Sequence, residues 1–273
     1  MEQLGTTLSC DGCGFAAAPQ GGIWRLAPAL APEGFRRERR DHLAEIERTH
    51  FWFPPRRRLL EGMLHRCPQG EAAIDLGCGT GGFLPSLAAA FPRVVGVDAY
   101  ADSLAEAGRR APHAVVLQAD VRRVPLASGQ FDLAAALDVL EHVEPQDLLG
   151  EARRLLRPGG RLLLSVPASP VLWSALDGAA GHRCRYTRRG LEAELQRAGF
   201  ALEHWTHYQA LLFPLLLLAR RLPVRGLHRL ERRPPGALSA VLGAINGLEV
   251  RLFGGRRLPI GSSLCALARR LEA

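Results

Sequence analysis

The chain has 273 residues, room for one α/β domain with additions, and its 47 % apolar content is that of a globular protein. Its net charge of +8 comes from 35 basic residues, all of them arginine. No aromatic–basic repeat, RNA-binding signature or zinc-finger spacing accompanies them, so no nucleic-acid partner is expected. The start is polar and lacks an apolar stretch of signal-peptide length. Ala210 to Ala219 is too short to span a bilayer and contains Pro214. A cytoplasmic protein is expected.

Residues 1–34 read as a leader and linker. Cys10-Asp11-Gly12-Cys13-Gly14 is half of a zinc ribbon, in which two thiolates of one knuckle take two corners of a tetrahedron. The second pair is missing, because Cys67 and Cys184 are isolated. Cys10 and Cys13 are therefore an incomplete half-site, and no bound metal is expected. Residues 35–70 read as a helical cap, interrupted at Pro54-Pro55.

Residues 71–208 carry the strongest pattern. Ile74 to Phe83 reads as a buried strand, a glycine-rich turn and a helix start. Glycine lets a ligand lie against the backbone, and the amides of a helix N-terminus can meet an acidic group. Val94 to Asp98 is a second apolar run closed by an acid, and such an acid can take the hydroxyls of a ribose. Val115 to Asp120, Phe131 to Asp138 and Arg161 to Val166 follow, with helical stretches such as Asp147 to Leu156 between them. The alternation argues a parallel sheet with helices on both faces.

Asp-Leu-Gly-Cys-Gly-Thr-Gly at 75–81, Val-Val-Gly-Val-Asp at 94–98, Gln-Ala-Asp at 118–120, the 131–143 segment and Leu-Arg-Pro-Gly-Gly at 156–160 together resemble the class I S-adenosylmethionine methyltransferases. A nicotinamide-binding Rossmann domain is the rival, since Gly77, Gly79 and Gly82 fit its fingerprint. The second acid and the Val139-Leu140-Glu141-His142-Val143 segment favour the methyltransferase. The resemblance implies an α/β, Rossmann-like, seven-stranded, mostly parallel sheet with an antiparallel edge pair. Strand six would be Ala201 to Tyr208. Residues 209–258 would be an α-helical, Arg/Leu-rich insertion, and 259–273 would carry the closing strand.

It also implies S-adenosylmethionine as cofactor. Asp75, Gly77 and Gly79 would line its methionine part, with Cys78 in the same turn. Asp98 would hold the ribose and Ala99 would flank the adenine. Asp120 and Val121 would take the adenine edge, and Leu137 and Asp138 would lie near the sulfonium. Arg57, behind the aromatic segment His50 to Phe53, would pair with the methionine carboxylate, since a guanidinium matches a carboxylate fork.

Three segments are candidates for the acceptor. His50 and Trp52 belong to a lid over the cofactor or to an aromatic packing face. His142 follows strand four and is either a general base or a packing residue. His182 is the preferred contact or base, with Arg185 and Tyr186 binding an acidic or aromatic group; the alternative is a loop pinned by its own hydrogen bonds. The amino-methyltransferase signature Asn-Pro-Pro-Tyr is absent after strand four, which leaves small molecules or lipids. The insertion would roof a pocket, form a homodimer face or touch a membrane through 209–233. The amphipathic spacing from Ala237 to Phe253 predicts a helix buried within the protein or a dimer. The expected function is methylation of an oxygen or nitrogen on a small, apolar or aromatic metabolite. C-methylation, or methylation of a lipid or polyprenyl intermediate at a membrane, is the alternative; a non-catalytic S-adenosylmethionine-binding scaffold is another.

Overall fold

The computed structural model describes residues 8–9, 16–27, 43–221 and 236–272. Cys10 and Cys13 lie outside the described residues, as does the 222–235 part of the insertion. Strands β1 (Leu8–Ser9) and β2 (Ala16–Ala17) pair with each other, and β3 (Pro19–Gln20) and β4 (Ile23–Arg25) form a hairpin. Helices α1 (Leu43–Thr49) and α2 (Phe53–Leu64) follow. Pro54 and Pro55 occupy the first turn of α2, where no backbone N–H is required. They start a helix; the break falls just before them.

The core then runs β5 (Ala72–Leu76), α3 (Leu84–Ala90), β6 (Arg93–Asp98), α4 (Ala101–Arg110), β7 (Val115–Gln118) and β8 (Phe131–Leu137). A 3-10 turn at Leu140–His142 leads to α5 (Pro145–Leu155), β9 (Leu156–Pro167), α6 (Ala175–Ala180) and α7 (Arg188–Arg197). Strand β10 (Phe200–Tyr208), helices α8 (Phe213–Arg221) and α9 (Gly236–Phe253), and strand β11 (Ser263–Arg270) complete it.

The sheet order is β10-β11-β9-β8-β5-β6-β7-β4-β3. Strands β9 to β4 in that order are parallel, and β11 is antiparallel to both neighbours. The expected seven strands are present, and the leader adds two more. Ile23 to Arg25 align with Val116 to Gln118, and Trp24 is buried in the core. The leader thus covers what would be an exposed edge of β7. The chain order reverses at β5, with β6 on one side and β8 on the other. Such a switch point opens a crevice beyond the strand ends.

Successive side chains of a strand face opposite sides. Ile74 and Leu76 join Leu148, Leu149 and Leu195 under α5 and α7. Ala73 joins Leu59, Leu60, Leu84 and Leu104 under α2, α3 and α4. Within the described chain the insertion is only partly buried. Helix α9 packs on α2, but it buries Asn246 and Glu249 and leaves Val241, Leu248 and Leu252 at 56, 50 and 54 % exposure. Glu249 takes the Gln209 and Leu211 amides at 2.7 Å each. This polar anchor sets the helix rotation, so its apolar stripe is not buried in the described chain.

Candidate active site

At the end of β5 the backbone turns with φ of +80° at Gly77 and +78° at Gly81. A Cβ on Gly77 would lie 2.4 Å from Val139 Cγ2, and one on Gly81 2.7 Å from Ala107 Cα. Only glycine fits both the conformation and the space. The Gly77 and Cys78 amides donate to the Val97 carbonyl. Cys78 points its sulfur into the core, so it serves the turn through its backbone. Asp98 is buried and takes the Gly79 and Tyr100 amides, both at 2.9 Å. Gln118 donates to the Ala99 carbonyl at 3.2 Å. Asp120 is bound by the Arg122 amide and guanidinium. The Arg122 hydrogen bond holds its carboxyl below the usual range. Val121 and Leu137 are half-buried against the two core faces.

Helix α1 closes over this turn. Glu47 takes the Thr80 hydroxyl at 2.7 Å and pairs with Arg110. Next along the chain, the Tyr208 hydroxyl donates to the Trp52 carbonyl at 2.8 Å. His50 stacks against Phe51 and lies near Phe53. The Arg56 guanidinium sits 4.3 Å over the Trp52 ring and donates to Asp138 Oδ2 at 2.7 Å. Arg57 instead reaches Glu61 at 3.9 Å with its side chain 55 % exposed. The expected role of Arg57 is corrected accordingly: the helix turns Arg56 inward and Arg57 to solvent.

The far side of the switch point begins at Asp138, whose φ of +59° is unusual for a residue with a Cβ. Its carboxylate accepts from Arg56 and from Ser165 Oγ at 3.3 Å. The 3-10 turn buries Glu141 at 1 % exposure. Burial, with the Asp138 charge, pushes its carboxyl well above the usual range. His142 and His182 come together with ring centroids 5.1 Å apart. Burial, and the proximity of a second imidazole at His182, lower the His142 pKa.

Arg185 and Tyr186 do not face a substrate, contrary to the sequence expectation. The Arg185 side chain is buried and binds Asp177, the Ala168 carbonyl and the Ser262 carbonyl. Tyr186 is a core residue whose hydroxyl reaches the Leu140 carbonyl at 3.4 Å. The loop is pinned by its own hydrogen bonds, and Asp177 is the pin. It caps α6 through the Ser174 amide at 2.9 Å and takes His182, Arg185 and, from the insertion, Arg220. Burial opposes its ionisation, but the bonds from His182 and Arg185 win and hold it well below the usual carboxylate range.

A glycine turn and two acids lie on one side of the switch point, with a polar wall on the other. The model of the family described as "Methyltransferase domain" matches residues 42–204, more than half of the chain. The chain belongs to the class I S-adenosylmethionine-dependent methyltransferases.

Relatives of this methyltransferase differ in what their names say they act on. The malonyl-acyl-carrier-protein O-methyltransferase of Enterobacter lignolyticus is 33 % identical over 54 % of this chain and 63 % of its own. The demethylmenaquinone methyltransferase of Beutenbergia cavernae is 34 % identical over 41 % and 47 %. The chain thus spans about half the length of these curated relatives. The geranyl diphosphate C-methyltransferase of Streptomyces coelicolor A3(2) superposes with a TM-score of 0.57 at 18 % identity, over 89 % of this chain and 87 % of that one, which shows a shared fold.

The residues of the methyltransferase cleft fit the cofactor. Asp75 Oδ1, an acceptor, and Arg56 Nε, a donor, are buried and lack partners among the described residues. That pair complements the ammonium and carboxylate of an amino acid, such as the methionine part of S-adenosylmethionine. Arg56→Ala is expected to weaken cofactor binding at least tenfold, a lost charge-assisted hydrogen bond being worth about 1.5–3 kcal/mol, while Arg57→Ala leaves it unchanged. Equal effects in calorimetry would refute the exchange of roles.

Burial pushes the Asp75 carboxyl up to about 7, aided by Asp98 and Glu47 against Arg56. A raised carboxyl pKa means that the folded protein holds this proton between the ordinary carboxylate range and about 7. An incoming ammonium requires the carboxylate, so the proton must leave. Cofactor affinity is therefore expected to rise with pH, by up to about tenfold per unit, and to level off above about 7. A flat profile in Asp75→Asn and a rising one in the natural protein is the expected contrast.

Proposed function

We propose that the chain transfers the methyl group of S-adenosylmethionine to an oxygen or nitrogen of a small, apolar or aromatic acceptor. One observation carries this reading: Arg56 joins the two halves of the cleft, lying between the cofactor turn and Asp138 at the head of the acceptor wall. When bound, S-adenosylmethionine supplies a methyl carbon on a positively charged sulfur, open to in-line attack from roughly 3 Å. The turn at 77–81 and Asp98 hold the nucleoside part. Asp75 and Arg56 fix the amino-acid part. Asp138, Glu141, His142 and His182 present the polar end of the acceptor site, and α1 with the 50–53 segment shields it from water.

The test is transfer of labelled methyl from S-adenosylmethionine to a panel of phenols, hydroxy acids, amines and isoprenoid quinones. Labelled product from an oxygen or nitrogen acceptor supports the reading. Cofactor binding without product on any member favours a non-catalytic scaffold.

A second reading is supported by the insertion: methylation, at oxygen or carbon, of an isoprenoid or lipid at a membrane surface. Leu211, Leu215 and Leu218 of the α8 segment are exposed, as are Leu238, Val241, Leu248 and Leu252 along one stripe of α9. Helix α9 has the length and hydropathy of a membrane span, but Asn246 and Glu249 tie it to the domain, so its stripe is suited to lie along a surface. One relative is named for demethylmenaquinone, and a protein that shares only the fold is named for geranyl diphosphate. The chain is expected to float with anionic liposomes, and Leu248→Glu with Leu252→Glu to abolish this. Recovery of the natural chain as a dimer that ignores liposomes would assign the stripe to self-association.

A further inference from the structure

We propose that Glu141, His142 and His182 bind a divalent transition-metal ion of the zinc class at the acceptor end of the cleft. One ligand atom from each lies within 4.8 Å of those of the other two. His142 Nδ1 is 3.2 Å from the Gly181 carbonyl oxygen, which can only accept. That nitrogen therefore carries the proton, and the lone pair is on Nε2. His182 Nδ1 is 3.1 Å from Asp177 Oδ1, an oxygen that also faces the Arg185 guanidinium. The same logic puts the His182 lone pair on Nε2, 4.0 Å from Glu141 Oε1.

Glu141 is the third donor and the independent sign of a missing cation. It is 1 % exposed, and among the described residues its Oε2 meets no donor. Buried carboxylate oxygens are costly unless they are hydrogen-bonded or coordinate a metal. Two imidazoles and a buried carboxyl converge here, and a cation that displaces the Glu141 proton would be held by all three. Fixing the far N–H of each imidazole on a carbonyl or a carboxylate is the support that metal-ligating histidines receive. A tetrahedral site needs donor atoms about 3.3 Å apart, at metal distances of about 2.0–2.2 Å, so a contraction of up to about 1.5 Å completes it. Two imidazoles and one carboxylate suit zinc or ferrous iron better than calcium or magnesium.

The inference rests on the methyltransferase reading only for where the acceptor lies. An ion held by three protein ligands keeps an open position beside Asp138. That narrows the acceptor to a compound whose hydroxyl, phenol or carboxylate oxygen can enter the coordination sphere. A lone pair given to an ion is not available to a proton, so this assignment replaces a general-base role for either histidine.

The full chain, stripped with a chelator, is titrated with Zn2+ by equilibrium dialysis and with Co2+ by absorption. One ion per chain is expected, with the visible bands of a tetrahedral Co2+ site. His142→Ala and His182→Ala should each weaken binding by on the order of 100-fold. Glu141→Gln should do the same; if it fails to fold, the histidine variants still decide. Less than a tenth of an ion per chain would overturn the proposal. So would binding that survives both histidine changes and disappears with Cys10→Ser and Cys13→Ser. S-adenosylmethionine calorimetry on the same stripped protein reports the donor site separately, so loss of the metal site and loss of the methyltransferase reading are distinguishable.

Discussion

Asp177→Ala is expected to lower the stability of the chain by about 3–5 kcal/mol, because it strands buried cationic partners without their counter-charge. The Asp177 side chain is 1 % exposed, and Arg185 and Arg220 beside it are 5 and 10 % exposed. Arg185 ties the loop to Ala168 and Ser262, and Arg220 ties α8 to the Leu172 carbonyl. Removing the carboxylate also opens the capping box of α6, in which Ser174 is the N-cap and Asp177 takes its amide. Asp177→Asn keeps the shape and one acceptor oxygen and should lose less. Denaturant unfolding measures both. A loss under about 1 kcal/mol for Asp177→Ala would mean that the two arginines find solvent instead.

Asp98→Ala is expected to reduce S-adenosylmethionine affinity by more than about 100-fold, which is close to two charge-assisted hydrogen bonds at about 1.5–3 kcal/mol each. The carboxylate sits at the end of β6, where a nucleoside's ribose would lie, and its two oxygens already order the Gly79 and Tyr100 amides. The substitution removes the ligand contact and loosens the turn that receives the ligand. Asp98→Asn retains one acceptor and should fall between. Calorimetric titration of the three proteins checks the order; an unchanged affinity in Asp98→Ala would remove the nucleoside from this strand.

Much of the donor half is legible in the sequence, because strand-end acids and positive-φ glycines leave marks at fixed spacing. Asp75, Gly77, Gly79 and Asp98 all converge at the switch point. Residues whose role depends on rotation or on distant partners are not legible. Arg56 and Arg57 are adjacent and chemically alike, and only the packing of α2 decides which one enters the cleft. Arg185 and Tyr186 read as ligand-binding types, yet a buried acid eight residues before Arg185 claims that arginine, and the core claims the tyrosine.

The roles of Glu47, Glu141 and Asp177 escape sequence reasoning for a related cause, although Glu141 stands in a segment that the family resemblance uses. Each is an ordinary acid in the sequence, and each becomes informative only through burial. The leader's strands leave a faint signal, since a strand of two or three residues shows almost no periodicity. Helix α9 shows its apolar spacing clearly, but Asn246 and Glu249, which anchor it, break no pattern. Its outward stripe is recognised only once the Gln209 and Leu211 amides are placed beside Glu249.

The most direct test of the donor assignment is a calorimetric titration of the full natural chain with S-adenosylmethionine at a pH above that at which Asp75 loses its proton. One saturable site per chain, lost in Asp98→Ala and weakened in Arg56→Ala, is the predicted result. No saturable binding by the folded protein would contradict it.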